Sequence, residues 1–465
     1  MRAPCASSLA VVLALAAVPA IAQGAEPKPE PPAEAAKPEA AKAEAAKPEA
    51  PKPDAPKPDA PKPDAPKPDA PKVEAAATGA AASAPAAAEA KRPCDGKLVC
   101  FQSDKVAVWP KLRVRTGFQF IEADPEILYI GANDGFFIDQ ARLGAEGTMV
   151  GGVGFKLTLE AASLLPGAAP NAALTPLIGA LRDAWVSWTP SPWLALQAGQ
   201  QYMPADWEGG DVEATLPFSS KSVLSAGVRP GQGVAVAGLS PSRQVGLVLG
   251  SGPGAEIGGV GIDYRLGVAN GNGLNQSGND NKWPAAYLRA GVGFADGLVK
   301  VGLGGRFNPR TTGTLPNLYT ETDAVGSADV ALDAAGVQLV LSGIYRQTSL
   351  NTLAPDLANP AGQESGSGLM GFVAYDAALP EVPVLGAGWH LKPALRSSFY
   401  DPSSAFQTDQ LLETTLGVRL SGPENMPAAL FLDGTVLTEL GDVGAGVAAR
   451  DLSDNRLTLL FQWEL

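Results

Sequence analysis

Apolar and polar positions alternate along much of the C-terminal three-quarters of the chain. In 456–465, Leu457, Leu459, Phe461, Trp463 and Leu465 share one side of an extended chain. Arg456, Thr458, Gln462 and Glu464 share the other, with Leu460 the one exception. Period two marks a strand with one apolar and one wet face. The same alternation recurs at 111–122, 136–147, 150–162, 180–190, 192–201, 232–239, 243–250, 257–269, 284–296 and 298–309. It continues at 325–335, 337–348, 366–377, 386–399, 411–422, 426–440 and 456–465. In the first of these, Leu112, Val114, Phe118 and Phe120 oppose Lys111, Arg113, Arg115 and Gln119. A single-chain bacterial barrel has an even number of strands. One candidate is therefore surplus, in the short glycine-rich stretch 232–269. The expectation is an all-β chain: a transmembrane antiparallel β-barrel of about 16 strands, with eighteen as the alternative count.

Alternation alone also fits a soluble sandwich, whose apolar faces meet each other. Three features favour apolar faces turned outward to lipid: the strand number, the aromatic-ended terminal strand and an export signal. The signal is residues 1–22: Arg2, a short apolar run from Leu9 to Val18, and the small-x-small site Ala20-Ile21-Ala22. No later stretch offers 18 uncharged apolar residues, so helical spans are not expected. Trp185, Trp188, Trp193, Trp207, Trp283, Trp389 and Trp463 fall near strand ends, where interfacial aromatics would sit.

Composition divides the chain. Residues 23–92 are low-complexity Pro, Ala, Lys, Asp and Glu, with APKPD repeating in register from Ala50 to Asp69. Proline at near-alternate positions excludes helix and sheet and favours extended polyproline II. Fully extended, its Pro-rich part would reach roughly 140 Å, the span of a periplasmic spacer. Through Arg92 the chain carries 12 basic and 12 acidic residues, so the net charge of −13 resides wholly in 93–465. Cys94 and Cys100 are close enough in sequence for a local disulfide in an oxidising compartment. No metal site is expected, since His390 is the only histidine.

If the apolar faces look outward, the polar faces line a water-filled lumen. The basic residues placed there are Lys111, Arg113, Arg115, Arg142, Lys156, Arg265, Arg289, Lys300, Arg306, Arg346, Lys392, Arg396, Arg419 and Arg456. Acids on the same faces are fewer: Glu146, Glu160, Asp263, Glu413 and Glu464. Most others, among them Asp124, Glu126, Asp134, Asp356 and Glu364, fall in expected loops. An acidic domain with a basic wall favours anions, because loop charges are screened beyond about 8 Å. The alternative is that these charges cross-link the wall and select nothing. The longest connection, 203–230, contains Asp206, Glu208, Asp211 and Glu213, followed by Lys221 and Arg229. It is either an ordinary outer loop or a segment folded inward to narrow the bore.

The succession QARLGAEG (140–147), LRDAWVSWTP (181–190), LQAGQQYMP (196–204), FSSKSVLSAGVRPGQGVAVAG (218–238), DYRLGVANGNG (263–273) and AAYLRAGVGF (285–294) resembles the phosphate-selective porins of the O and P type. The resemblance runs from about 111 to 465. It implies a 16-stranded barrel, commonly a homotrimer, passing small anions such as phosphate by passive diffusion through an outer membrane. Two positions depart from that pattern: Gln232 stands where an arginine often follows Pro-Gly, and Leu465 where an aromatic is usual. A general or cation-preferring porin, or a barrel acting mainly as a tether through its spacer and a cell-wall contact, are the alternatives. Catalysis is not expected, because His390 in GWHLKPALR has no evident acid or serine partner. No cofactor and no nucleic-acid partner is implied by any motif.

Overall fold

The computed structural model describes residues 94, 98–121, 135–162, 180–209, 213, 215–227, 238–273, 278–279, 281, 283–314, 317–350, 363–381, 386–404, 410–423, 426–440 and 455–465. Sixteen long strands form one closed antiparallel sheet. They are β1 (Val106–Ile121), β2 (Gly135–Met149), β3 (Val153–Glu160), β4 (Ala180–Ser191), β5 (Leu194–Tyr202), β6 (Arg243–Gly250), β7 (Val260–Ala269) and β8 (Ala285–Phe294). They continue as β9 (Val299–Thr314), β10 (Asn317–Ala334), β11 (Val337–Leu350), β12 (Gln363–Tyr375), β13 (His390–Asp401), β14 (Leu411–Ser421), β15 (Ala428–Glu439) and β16 (Arg456–Glu464). Three two-residue strands, Phe101–Gln102, Glu256–Ile257 and Ala377–Ala378, attach to their neighbours. The candidate strand 232–239 lies largely outside the described residues, and the other sixteen candidates all correspond to long strands.

Each long strand pairs with the next, and β16 pairs with β1. At this seam Trp463 faces Val114 and Leu459 faces Phe118. The Leu465 N–H donates to the Leu112 carbonyl at 2.7 Å, and the Leu112 N–H returns a longer bond at 3.4 Å. Closure leaves no exposed edge of unpaired amides and carbonyls.

The outer face carries large apolar side chains strand after strand. Phe136 is 88% exposed, and Leu143, Val186, Leu303, Leu369 and Leu416 are exposed as well. Water would penalise such a belt, whereas hydrocarbon accepts it. Leu460, the exception in the terminal alternation, turns inward and packs against Phe431 and Ala429. It therefore obeys the period and breaks only the polarity.

One rim is made of short connections. Between β10 and β11 the turn is Ala335-Gly336, both with positive φ (51° and 80°), the backbone a two-residue hairpin turn demands. Three register shifts interrupt the period, one of them between Trp188 and Ser191 at the end of β4, and the other two are bulges within strands. One bulge lies opposite Arg115/Thr116 in β2, and the other lies opposite Thr158/Leu159 in β4. A bulge adds a residue and breaks the inside-outside alternation locally. Asp139 and Arg182 are the extra residues, and both reach inward ion pairs.

Leu416 sits at the centre of β14 with 64% of its surface outward. Leu416→Arg is expected to lower the folding free energy in lipid vesicles by about 2–4 kcal/mol, the cost of a cation near a bilayer midplane. Urea titration of vesicle-folded protein measures it. An unchanged midpoint would contradict an outward, lipid-facing position.

Candidate functional site: the inward loop and the charged wall

The connection between β5 and β6 enters the barrel. Met203, Ala205, Leu216, Phe218, Leu224 and Leu239 are buried, although a rim loop would leave them wet. A single helical turn, α1 (Val223–Ala226), lies against β12 and β13. Phe218, Val223, Leu224 and Leu239 pack on Val325, Val340, Ile344, Met370, Phe372 and Tyr400 of β10 to β13. Inward positions on this arc are apolar because they receive the loop. Two glycines make room: a Cβ at Gly368 would run into the Leu224 side chain, and one at Gly304 into the Ala205 carbonyl.

Polar contacts fix the same segment at both ends. Arg115 donates to the Ser219 carbonyl, Arg396 to that of Ser220 at 2.7 Å, and Arg419 to that of Leu216 at 2.9 Å. The Ser219 N–H donates to Asp433 at 2.6 Å. Glu213 binds the wall on the opposite side, 2.6 Å from Arg142 and 2.9 Å from Arg182. Burial would push its carboxyl up, but the charges of Arg142, Arg182 and Lys221 outweigh this and hold it well below the usual carboxylate range. Asp206 behaves oppositely, because its burial pushes its pKa up. Glu208 accepts from the Ser222 N–H at 3.1 Å and from the Ser222 hydroxyl, and its carbonyl accepts from Lys221 at 2.6 Å. Asp211 and Arg229 lie outside the described residues.

Most of the basic residues expected on the wall lie beside carboxylates. All but two of the thirteen strand residues from Lys111 to Arg419 lie in ion pairs. The pairs are Lys111–Glu146, Arg113–Glu464, Arg115–Asp139, Arg142–Glu160, Lys156–Asp183 and Arg265–Asp263, at 2.7 to 3.7 Å. They continue as Arg289–Asp329, Arg306–Asp323, Arg346–Glu364, Lys392–Asp376 and Arg396–Glu413, at 2.7 to 3.7 Å. Arg419 is held by the Leu216 carbonyl and Ser421. Lys300 has no carboxylate partner among the described residues. Glu364 is on β12, not in a loop. Asp124, Glu126, Asp134 and Asp356 lie outside the described residues.

The sequence reading missed several inward charges for identifiable reasons. Asp139 and Arg182 sit at bulges, where counting by two fails. Asp183, Asp323 and Asp329 are strand aspartates, a residue type depleted in strands and so read past. Arg243 opens β6, pairs with Asp183 at 2.6 Å, and lies 3.7 Å from the centre of the Tyr202 ring. Trp207 also differs from expectation. It lies on the inner loop against Phe372, ring centres 5.5 Å apart, rather than at an interface. His390 has an acid partner after all, Asp376, at 2.7 Å. That residue follows β12 directly and is brought alongside by pairing with β13. Cys94 and Cys100 are joined.

Two of the inner spaces beside the loop differ in lining. The smaller, about 280 Å³, is lined by Arg115, Lys221, Arg243, Glu213 and a series of serines including Ser219 and Ser242. The larger, about 650 Å³, lies toward the short-turn rim between Trp207 and β7 to β10.

A closed 16-stranded barrel with an inward loop between β5 and β6 is the fold of a porin. Residues 111–256 match the family model of phosphate-selective porins O and P. Among solved structures, the barrel is similar to Salmonella typhi OmpF in complex with daunomycin, at 12% identity and a TM-score of 0.50, covering 79% of this chain and 100% of that one. It is also similar to the anion-selective porin from Comamonas acidovorans (15%, TM-score 0.49, 78% and 100%) and to the outer-membrane channel DcaP of Acinetobacter baumannii (13%, TM-score 0.49, 79% and 100%). No curated protein sequence matches this chain significantly.

Glu213→Gln leaves Arg142 and Arg182 sharing Glu160 alone. The expected loss is about 3 kcal/mol, the low end for breaking a buried pair, since Glu213 keeps some exposure. Faster hydrogen exchange across 215–227 reports it. The pH dependence has a definite sign. Because the folded carboxyl titrates lower than the unfolded one, the pairing is complete above the usual value of about 4.3 and is lost only as pH falls through the depressed value. Glu213's share of the protection in this segment should therefore stay constant from about pH 7 to 5 and fall only under stronger acid.

Proposed function

We propose that the protein is an outer-membrane porin for passive diffusion of small hydrophilic solutes, with a weak lean toward anions. The observation that carries this is the space between loop and wall lined by Arg115, Lys221 and Arg243, with serine hydroxyls alongside and Glu213 as the opposing acid. Hydroxyls and N–H donors replace part of an anion's hydration shell, and nearby cations raise its local concentration. Bore size sets the cutoff, and no bond is made or broken. The lean is weak because pairing along the wall leaves little net field. The same observation supports the second reading, a general porin, more than a dedicated phosphate filter.

The remaining assignments rest on the sequence. Residues 1–22 export the chain. Residues 23–92 form a periplasmic spacer able to touch the cell wall. The barrel works as a homotrimer, as the resemblance implies.

Reversal potential in a planar bilayer under a KCl gradient tests the ion preference. The expected sign is a small anion preference, shifted toward cations by Lys221→Glu. A cation preference in the unaltered protein would overturn the anion lean and leave the general porin standing.

A further inference from the structure

A further inner space, about 330 Å³, lies against the wall from β3 to β7. Trp185 of β4 is part of its lining. The alternation of β4 sends this indole inward, between Lys156 of β3 and Gly199 of β5, and leaves it half-buried. It is not the interfacial aromatic that its place in the sequence suggests, and it joins none of the apolar clusters among the described residues. The next inward row toward the short turns is Gly154, Ser187 and Gln197, on β3, β4 and β5. Glycine keeps that row open, since a Cβ at Gly154 would lie 2.8 Å from the Ser187 Oγ. The indole therefore borders open space with a hydroxyl and an amide alongside.

The charged lining is two bases, Lys156 and Arg265, and one acid, Asp183. Asp183 pairs with Arg243 at 2.6 Å and lies 3.7 Å from Lys156, and Arg265 meets Asp263 at 3.4 Å. With these partners included, three bases stand against two acids. One excess charge spread over paired groups gives little hold on an ion that must shed water to bind. Hydroxyls and amides, in contrast, both donate and accept without charge. An aromatic surface beside such groups suits a solute that is apolar on one face and hydroxylated around its edge. A pyranose has that shape: ring C–H bonds form the flat face, and hydroxyls point outward from the ring. An open-chain polyol carries as many hydroxyls but must freeze several torsions to present any face.

We propose that the hollow beside Trp185 is a transit site for uncharged ring polyols of hexopyranose size. Trp185 meets the C–H face, and Ser187 and Gln197 meet the hydroxyls. This rests on the porin reading above and adds to it a class of solute retained on the way through.

The test uses the full-length protein in planar bilayers, with glucose, sorbitol and sodium acetate as probes that reduce the KCl current. Glucose is expected to reach half-maximal block at roughly five-fold lower concentration than sorbitol or acetate, the size of one aromatic contact. Trp185→Ala is expected to erase that difference, and Trp185→Phe to keep part of it. Gln197→Ala should weaken glucose block about three-fold, the size of one hydrogen bond. Because a wall substitution can disturb folding, the ranking of probes on the unaltered protein decides independently of any variant. Equal block by glucose and sorbitol overturns the proposal. So does acetate blocking more strongly than glucose, or a glucose advantage that survives Trp185→Ala. The KCl conductance of the same membranes reads the porin assignment separately. A pore that conducts but treats glucose and sorbitol alike loses this site alone, whereas a protein that never conducts loses the porin reading and the site with it.

Discussion

A charge enclosed by protein must find a partner, and the interior of this barrel is organised by that requirement. Desolvating a guanidinium costs several kcal/mol unless a carboxylate and further hydrogen bonds compensate it. The strands meet the demand by setting acid against base across neighbouring staves, as in Arg289–Asp329 and Arg396–Glu413. The inner loop meets it from the other direction, bringing Glu213 to two arginines and backbone carbonyls to Arg115, Arg396 and Arg419. Loop position and wall charge are therefore one system. Without the loop these arginines would keep only their strand partners, such as Asp139, Glu160 and Glu413, and without the arginines the loop would lose its polar anchors.

That coupling explains why counting basic residues on inward faces overstates the field in the lumen. An ion pair is a dipole, and its influence fades quickly with distance. What a passing solute senses is the remainder left by that pairing. Arg265, with 54% of its side chain exposed, keeps part of its donor set free for water or solute despite Asp263.

The architecture was legible in the sequence because its strongest signal is geometric. Alternation at 411–422 or 456–465 fixes which side of a strand is apolar, and the strand sum fixes closure. The site was only partly legible. Arg113, Arg142 and Arg396 sit at ordinary alternating positions and emerge by counting. Asp139 and Arg182 do not, since a bulge shifts phase with no local marker in composition. The apolar inward arc of β10 to β13 was also hidden: Val340, Met370 and Phe372 point toward the axis because Phe218 and Leu224 come from far along the chain to cover them. No window of a dozen residues contains that information.

The seam joining β16 to β1 also bears on biogenesis. The two strands that complete the cylinder are the most widely separated in sequence, so the sheet stays an open ribbon until its final stave has been delivered. Up to that moment both edges offer unsatisfied amides to any passing strand. The cylinder is therefore complete only when the first and last staves meet, whatever the order in which the others have paired.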